Sequence, residues 1–254
     1  NDKFSGEMMR QLRKEGVVTS GVAHSDERDT GIILRMSDEN GEHRNIYAPS
    51  ANLELNADQV PDEVLNNQSY LLLQNEISLE QNLELLQRAK AHDVVTIMNL
   101  SPSIHVNQAI LDNLDYLIVN GHEAQKLAEK MKIGSLSGSL KKIAYAFAGI
   151  GNLTCIITNG AEGAVAAGPD GTCWAVAALD IEEMVDRSGA DDAFSGTFTA
   201  CKQAGMQTPR ALKRASIAAS LTCMKKGTQK AFPYQDDIEE QMNNLPDPEE
   251  STIG

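Results

Sequence analysis

Short apolar runs alternate with predicted helices along residues 70–158. The runs YLLLQ (Tyr70–Gln74), VVTIMNL, YLIV (Tyr116–Val119) and LTCIIT have the length and composition of strands buried in a parallel sheet. Helices are predicted between and beside them, in LEQNLELLQRAKAHD, VNQAILDNL, HEAQKLAEKM and LKKIAYAFAGI. This alternation predicts an α/β fold with a mostly parallel central sheet, whose ligands bind beyond the carboxyl ends of the strands.

The residues before this region predict a helix and a hairpin. GEMMRQLRKEGV is typical of a helix that ends at Gly16 after a basic last turn. TGIILRM and HRNIYAP are two β-rich runs around the polar turn SDENGE, so they predict a hairpin with apolar arms that can cover another surface. Further on, Ser78 and Gln81 have the spacing of a capping box at the start of the next helix.

The residues after position 163 predict a second hairpin and two helices. AVAAGPDGTCWAV should turn at Pro169-Asp170-Gly171, and DDAFSGTFTACKQAG should form a helix that ends at Gly205. We expect Thr208 to cap a long helix with Pro209 as its first residue, and Gly227 to close it.

The acidic composition excludes two classes of partner. The 254 residues include 22 basic and 36 acidic side chains, a net charge of −14. Such a surface repels nucleic-acid phosphates and anionic lipids, and no apolar run is long enough to span a membrane. An anionic ligand would therefore need a local positive site, such as a helix N-terminus, backbone amides or a metal ion.

Cysteine and histidine spacing argues against a zinc site. The four cysteines lie far apart with no CxxC pair, and the five histidines form no HxH or HExxH motif. Reduced cysteines in the core of a cytoplasmic protein are the expected state.

Polar residues follow the predicted strands at the edge where a parallel sheet binds its ligands. They are Gln74 to Glu76, Asn99, Asn120 to Glu123 and Thr158 to Gly163. TNGAEGA (158–164) could hold phosphates on its amides, although most such glycine-rich turns are only turns. Asn120 and Glu123 are spaced for a hydrated Mg²⁺, although Asn120 could equally cap an ordinary helix.

The segment DRSGADDAFSG (186–196) combines small residues with two adjacent carboxylates. Gly189 and Ala190 let backbone amides approach a ligand at the start of a helix, where the helix dipole favours an anion. Asp192 would lie beside that anion and could take a proton from an attacking hydroxyl. The alternative is that Ser188 and Asp192 only cap the helix.

From Asp2 to Phe232, these segments occur in an order that resembles the ribokinase-like (PfkB) carbohydrate kinases, most closely the ribokinase branch. DRSGADDAF is similar to the family signature D-T-x-G-A-G-D-x-F, ITNGAEGA to its nucleotide turn, and NGHEAQKL to its N-x-x-E segment. TGIILRMSDENGEHRNIYAPSAN resembles the lid hairpin that leads to the family's G-A-N motif, and KKGTQKAFP resembles the segment after its last long helix.

The resemblance implies one three-layer α/β domain over residues 1–254, with a small β lid around residues 17–50. It implies transfer of the γ-phosphoryl group of ATP to a sugar hydroxyl, cytoplasmic location, and a homodimer formed through the lids. Ribose is the favoured sugar, and a kinase for fructose, a keto-deoxy sugar acid or a nucleoside is the related alternative. Mg²⁺ is the implied metal cofactor, with K⁺ as an activating ion.

The roles implied for individual residues fall into four groups. The catalytic group is Asp192 as base with Gly189, Ala190 and Asp191 at the anion hole; the ATP group is Thr158, Gly160, Gly163, Ser216 and Gly227; the sugar group is Asn52, Glu76 and Asp192; the cation group is Asn120 and Glu123 for Mg²⁺, and Asp186 and Ser188 for the monovalent ion.

Two departures from the family pattern support a different class of function. Asp191 replaces the glycine before the base, and two unit charges about 4 Å apart repel by roughly 4 kcal/mol at an effective dielectric constant of about 20. Ser50 replaces the glycine of G-A-N. The family's first strand and its Gly-Gly sugar-binding segment have no counterpart in these residues, so we expect the fold to lack them. The alternative is thus a truncated or degenerate homologue that binds sugar or nucleotide without efficient turnover.

Overall fold

The first part of the chain is a helix followed by a two-stranded hairpin. The structure, a computed structural model, describes residues 2–37, 43–101, 105–133 and 139–253. Helix α1 (Lys3–Lys14) is followed by Gly16, with a φ of +78°, and strands β1 (Ile32–Ser37) and β2 (His43–Ala48) pair antiparallel. The predicted helix end and hairpin are confirmed, but the predicted turn at 38–42 lies outside the described residues. The hairpin strands occupy only the second half of the range expected for the lid.

A seven-stranded sheet forms the centre of the molecule, and its strands follow one another in chain order. They are β3 (Tyr70–Gln74), β4 (Val95–Asn99), β5 (Tyr116–Asn120), β6 (Thr154–Thr158), β7 (Ala164–Ala167), β8 (Thr172–Val176) and β9 (Glu249–Thr252). The pairs from β3 to β6 are parallel, and those from β6 to β9 are antiparallel. All four predicted parallel strands are confirmed.

The edge strand β3 differs from the prediction in its burial. Its composition predicts a strand buried on both faces, yet Leu72 is 37% exposed. The reason is its position, since among the described strands β3 pairs with β4 alone. An edge strand has fewer neighbours to cover its side chains.

Helices cover both faces of the sheet and complete three layers. They are α2 (Leu79–Ala91), α3 (Gln108–Leu111), α4 (Gly121–Lys130), α5 (Leu140–Gly151), α6 (Ala190–Gln203), α7 (Thr208–Cys223) and α8 (Gln235–Gln241). One core contains Leu86, Leu117 and Phe147, contributed by α2, β5 and α5. The other contains Ile118 and Phe198, on the face covered by α6 and α7. The alternation of residues along β5 therefore packs two different helical layers onto one sheet.

Two predicted helix ends are wrong in detail. Ser78 caps α2 by accepting from the amide of Gln81, but the Gln81 side chain accepts from the amide of Ala57 at 2.6 Å instead of closing a capping box. Helix α7 begins at Thr208 itself, with Gln207 as its cap and Pro209 as its second residue. It ends at Cys223, and the amide of Gly227 donates to Asp186 at 3.0 Å instead of closing the helix.

The last part of the chain adds α8 and β9, which the sequence pattern did not reveal. Lys213 and Arg214 of α7 are both buried, and each forms an ion pair with an acidic residue of this segment. Lys213 pairs with Asp247 at 2.7 Å, and Arg214 pairs with Glu239. None of the helices in the described ranges combines the length with the apolar composition that a membrane crossing requires.

Candidate functional site

The end of β3 contacts the first turn of α6. The Nε2 of Gln74 donates a hydrogen bond to Oδ1 of Asp192 at 3.1 Å. Asn82, which is fully buried in α2, donates to the Gln74 carbonyl at 3.1 Å, and this bond fixes the end of β3 to α2. Asp192 is exposed, so its carboxylate is held in place while it stays accessible to a substrate.

Helix α6 has no side-chain cap, so the capping alternative for Ser188 and Asp192 does not describe this structure. Gly189 is its cap residue, and within the described parts of the chain no side chain accepts from the first-turn amides. The carboxylate of Asp192 is directed to Gln74, and Ser188 uses its backbone amide to donate to Asp186. The start of α6 therefore depends on the backbone of Gly189.

Gly189 is required by both its conformation and its surroundings. Its φ of +82° lies in the left-handed region that favours glycine. A Cβ at this position would lie 2.9 Å from Cε1 of Phe232 and 3.3 Å from Cα of Thr228. The segment KKGTQKAFP thus packs directly against the helix start.

The predicted anion hole needs one correction. The amide of Ala190 donates to the Arg187 carbonyl at 3.3 Å, since residues 187–190 form a turn, and so it is not free for a ligand. The first helical bond runs from Ala193 to Gly189. Among the described residues no acceptor is found for the amides of Gly189, Asp191 and Asp192, and first-turn amides have no intrahelical partner. These amides and the helix dipole form a positive site in an acidic protein.

Asp186 connects Ser188, which is predicted with it at the monovalent-cation site, to Gly227 of the predicted ATP group. One carboxylate oxygen accepts from the amide of Ser188 at 2.9 Å, and the other accepts from the amide of Gly227 at 3.0 Å. This carboxylate links the turn before α6 to the turn after α7. Cation binding at these residues stays a prediction.

Asp191 lies in the first turn of α6 next to Asp192, and its charge also acts on Glu123. Asp191 keeps an exposed surface, but the protein atoms packed around it remove part of its hydration, and this desolvation, followed by the charge of Asp192, raises the pKa of Asp191 above its ordinary value. Burial also raises the pKa of Glu123, with a further contribution from the charge of Asp191. Asp191 is not among the described non-glycine residues with positive φ, so the replacement of glycine causes no backbone strain here. Its effect is therefore electrostatic.

Asn120 and Glu123 begin α4 as a mutual capping box. Oδ1 of Asn120 accepts from the Glu123 amide at 2.9 Å, and Oε2 of Glu123 accepts from the Asn120 amide at 3.3 Å. The helix-cap alternative is therefore confirmed for Asn120. A carboxylate can accept about four hydrogen bonds or ligands, so the long second bond leaves Glu123 capacity for a hydrated cation.

The glycine-rich turn after β6 lies beside the start of α4. Thr158 pairs with Asn120 in the sheet, and a Cβ on Gly121 would lie 3.1 Å from Oδ1 of Asn159. Gly160, with φ of +56°, faces open space. Gly163 is tightly enclosed, because a Cβ there would lie 2.0 Å from the carbonyl oxygen of Val176. The turn thus exposes backbone at one glycine and packs closely at the other.

Ser216 of α7 is buried and supports the loop that Gly163 contacts. Its hydroxyl donates to the Ala177 carbonyl at 2.7 Å, and Ser220 donates to the Ser216 carbonyl at 3.0 Å. Ser216 therefore acts as an anchor for the loop. Its predicted direct contact with ATP stays a prediction.

Tyr47 connects the two residues predicted to bind the sugar. Its hydroxyl donates to Oε2 of Glu76, and the nearby side chain of Asn52 acts on it in the opposite sense, lowering the pKa of Tyr47. Burial, followed by the bond to Glu76, raises the pKa of Tyr47. Because Tyr47 lies on β2 and Glu76 follows β3, this contact attaches the lid to the sheet.

Sequence reasoning missed the roles of Gln74 and Tyr47. The strand-end rule identified Gln74 as a candidate position but gave it no partner, since Asp192 lies 118 residues away. The signal for Tyr47 was its place in β2, opposite Ile33, which identifies a face of the hairpin but no contact. Among the residues that the structure describes, no group of three or more His, Cys, Asp or Glu side chains is placed to hold a metal ion.

Comparisons with known proteins agree on one family. The pfkB family of carbohydrate kinases matches residues 1–235. Ribokinase from Schizosaccharomyces pombe is 28% identical over 236 residues, which are 92% of this chain and 74% of the relative.

Solved structures share the fold. The crystal structure of ribokinase from Thermotoga maritima has a TM-score of 0.85 and 26% identity, covering 96% of this chain and 79% of that one. Arabidopsis thaliana ribokinase, solved with ribose and ATP, has a TM-score of 0.76 and 21% identity, covering 87% of this chain and 73% of that one. The ribokinase-like α/β fold is thus confirmed.

Proposed function

The chain belongs to the pfkB family of carbohydrate kinases, and we propose that it transfers the γ-phosphoryl group of ATP to a hydroxyl of a sugar, with ribose preferred. The observation that carries this proposal is the bond between Gln74 and Asp192. It joins the amides at the start of α6 to the strand end that leads to Glu76. A base, an anion site and a sugar contact are then adjacent.

Asp192 is the general base of the proposed reaction. It takes the proton of the sugar hydroxyl as that oxygen forms a bond to the γ-phosphorus, while the bond from phosphorus to the departing ADP oxygen breaks. Gln74 holds the carboxylate in one orientation during this step. Positioning of this kind supplies much of the catalysis in phosphoryl transfer.

The amides of Gly189, Asp191 and Asp192 hold the transferring group as its charge develops. They are preorganised by the turn at Gly189 and need no rearrangement at the moment of reaction. Gly160 and the rest of the glycine-rich turn hold the remaining phosphates. Asn120 and Glu123 would hold a hydrated Mg²⁺, and its charge would neutralise part of the phosphate charge.

Two observations support ribose and ATP as the ligands. Arabidopsis thaliana ribokinase was solved with both, and S. pombe ribokinase is similar over nearly the whole of this chain. Tyr47 is bonded to Glu76 and lies near Asn52 at the base of the lid, so these side chains offer the hydrogen-bonding groups that a polyhydroxyl ligand needs. Kinases for other sugars or nucleosides are the related alternative.

The lid also supports a homodimer. Tyr47 and its partner Ile33 share the face that includes the contact to Glu76, so Ile32, Leu34 and Ile46 share the opposite face. Ile32 is 49% exposed, and Leu34 and Ile46 are each 55% exposed. Apolar surface of this kind marks an interaction site. Light scattering should give the mass of a dimer, and a monomer at all concentrations would contradict it.

A cytoplasmic location is part of the same proposal. It is supported by the cysteines, all four of which are free thiols in the structure. Disulfides are rare in the reducing cytoplasm and common in secreted proteins.

Asp191 supports the second candidate, a protein that binds sugar or nucleotide with little turnover. Its carboxylate stands beside the base and close to Glu123, where a transferring phosphoryl group would also be negative. Kinetic measurements separate the two candidates.

The experiment that tests the proposal is ADP release with Mg²⁺-ATP and K⁺ over a panel of ribose, fructose, keto-deoxygluconate and adenosine. Mass spectrometry of the products identifies the phosphorylated compound. We expect the highest kcat/KM with ribose. Binding of ribose and ATP without any phosphorylated product would favour the second candidate.

A further inference from the structure

The hydroxyl of Tyr47, on strand β2 of the lid hairpin, donates a hydrogen bond to Glu76, which follows strand β3 of the sheet. We propose that Tyr47 is a positioning residue for the sugar, which orients the carboxylate of Glu76 and the amide of Asn52 toward it. This inference rests on the proposed function, because it takes Glu76 and Asn52 as sugar contacts.

Asn52 occupies a rigid place at the base of the lid. Its backbone amide donates to the Pro49 carbonyl at 2.9 Å. The amide of the preceding residue, Ala51, donates to the backbone carbonyl of Asp29 at 3.1 Å. A Cβ on Gly31 would lie 2.6 Å from the Pro49 carbonyl oxygen and 3.2 Å from Nδ2 of Asn52. The backbone around Asn52 is therefore closely packed, and its side chain projects from a fixed support.

The backbone and side chain of Glu76 are held by fewer contacts than those of Asn52. It lies two residues beyond the end of β3 and is only partly buried. A carboxylate in such a position can rotate among several orientations, and its bond to Tyr47 selects one of them. The bond uses one of about four acceptor positions on the carboxylate, so the others remain for sugar hydroxyls.

A tyrosine hydroxyl is suited to join these two groups. It donates one hydrogen bond, here to Glu76, and can also accept, which matches the amide of Asn52. Asn52 and Glu76 come from opposite sides of the site, one from the lid and one from the sheet. Tyr47 therefore sets the distance between them when the lid meets the sheet.

The Tyr47→Phe variant tests this role because it removes the hydroxyl and keeps the ring. We expect the KM for the sugar to rise about tenfold, the loss typical of a hydrogen bond to a charged group. The kcat and the KM for ATP should change by less than about twofold, since Tyr47 acts on the sugar contacts. Tyr145→Phe, which removes a tyrosine hydroxyl from α5, is the matched control and should behave as wild type.

The double variant Tyr47→Phe with Glu76→Gln shows whether Tyr47 acts through Glu76. If it does, the double variant should bind the sugar no more weakly than Glu76→Gln alone, because effects of coupled residues do not add. Full additivity of the two losses would overturn the proposed coupling.

The remaining outcomes separate this inference from the proposed function. A wild-type enzyme that turns over sugar, together with an unchanged or lower sugar KM in Tyr47→Phe, would overturn the role of Tyr47 alone. An equal rise in the Tyr145→Phe control would also overturn it. Absence of sugar-dependent turnover in the wild type would overturn the proposed function and this inference with it.

Discussion

The side-chain amide of Gln74, the last residue of β3, donates to Oδ1 of Asp192 in the first turn of α6 at 3.1 Å. This bond joins an edge strand of the sheet to the helix that carries the proposed base. Two residues further along the chain, Glu76 accepts from Tyr47 of the lid. The end of β3 therefore connects the proposed phosphate side of the site to the proposed sugar side.

Replacing Gln74 with leucine should lower kcat about tenfold or more and leave the KM for ATP nearly unchanged. The reason is that a hydrogen bond to a charged group contributes about 1.5–3 kcal/mol, and Asp192 would lose its fixed orientation. Steady-state kinetics check this, with Gln68→Leu at an exposed position as the control. A kcat equal to that of the control would show that Gln74 does not position the base.

Asp191→Asn should raise kcat at neutral pH by at least about tenfold. The upper limit is about a thousandfold, which corresponds to removing the whole repulsion of roughly 4 kcal/mol between two unit charges about 4 Å apart. Burial and the charge of Asp192 raise the pKa of Asp191, so its ionised form is disfavoured in the folded protein. The gain should shrink as the pH falls and Asp191 itself becomes protonated. The exposed Asp180→Asn variant is the control, and an unchanged or lower kcat at pH 7 would contradict the electrostatic account.

Ser50→Gly should stabilise the protein by up to about 1 kcal/mol, which raises Tm by a few degrees. Ser50 has a φ of +46°, a left-handed conformation that costs a serine energy and costs glycine none. Ala51→Gly is the matched control, because Ala51 is not among the described residues with positive φ, and it should destabilise. Thermal unfolding followed by circular dichroism measures both, and a lower Tm in Ser50→Gly would refute the assignment of strain.

Glu239→Gln should lower Tm at pH 7 by leaving the buried guanidinium of Arg214 without its charged partner. The hydrogen bond to Arg214 lowers the pKa of Glu239 below its ordinary value of 4.5, so the stabilisation is present above about pH 4.5. It is lost as the pH falls through the lowered pKa, where wild type and variant should converge. Unfolding curves at pH 7 and pH 3 test this against Glu240→Gln; a difference in Tm that does not shrink between pH 7 and pH 3 would contradict it.

Much of the fold follows from local patterns. The strands at Tyr70–Gln74 and Tyr116–Asn120 are apolar enough to be recognised alone, and their ends identified the edge where Gln74 and Asn120 lie. Gly189 was recognisable because a small residue before two carboxylates is a typical helix start. These features depend on neighbours in the chain.

The features that were missed depend on distant contacts. Tyr47 and Glu76 are 29 residues apart, and Gln74 and Asp192 are 118 residues apart. The strand at Glu249–Thr252 consists of four exposed polar residues, so its pairing with β8 leaves no apolar pattern in the sequence. The length of α7 was misjudged because its capping signals at Thr208 and Gly227 are used for other contacts.

The measurement that tests the central claim most directly is sugar-dependent ADP release by the wild type and by Asp192→Asn under Mg²⁺-ATP and K⁺. The substitution keeps the shape of the side chain and an oxygen that can accept the hydrogen bond from Gln74, but it removes the group that takes the proton. We predict turnover with ribose in the wild type and a loss of at least about a hundredfold in kcat in the variant. Equal sugar-dependent turnover in both proteins would contradict the assignment of Asp192 as the base, and no turnover in either would contradict the kinase itself.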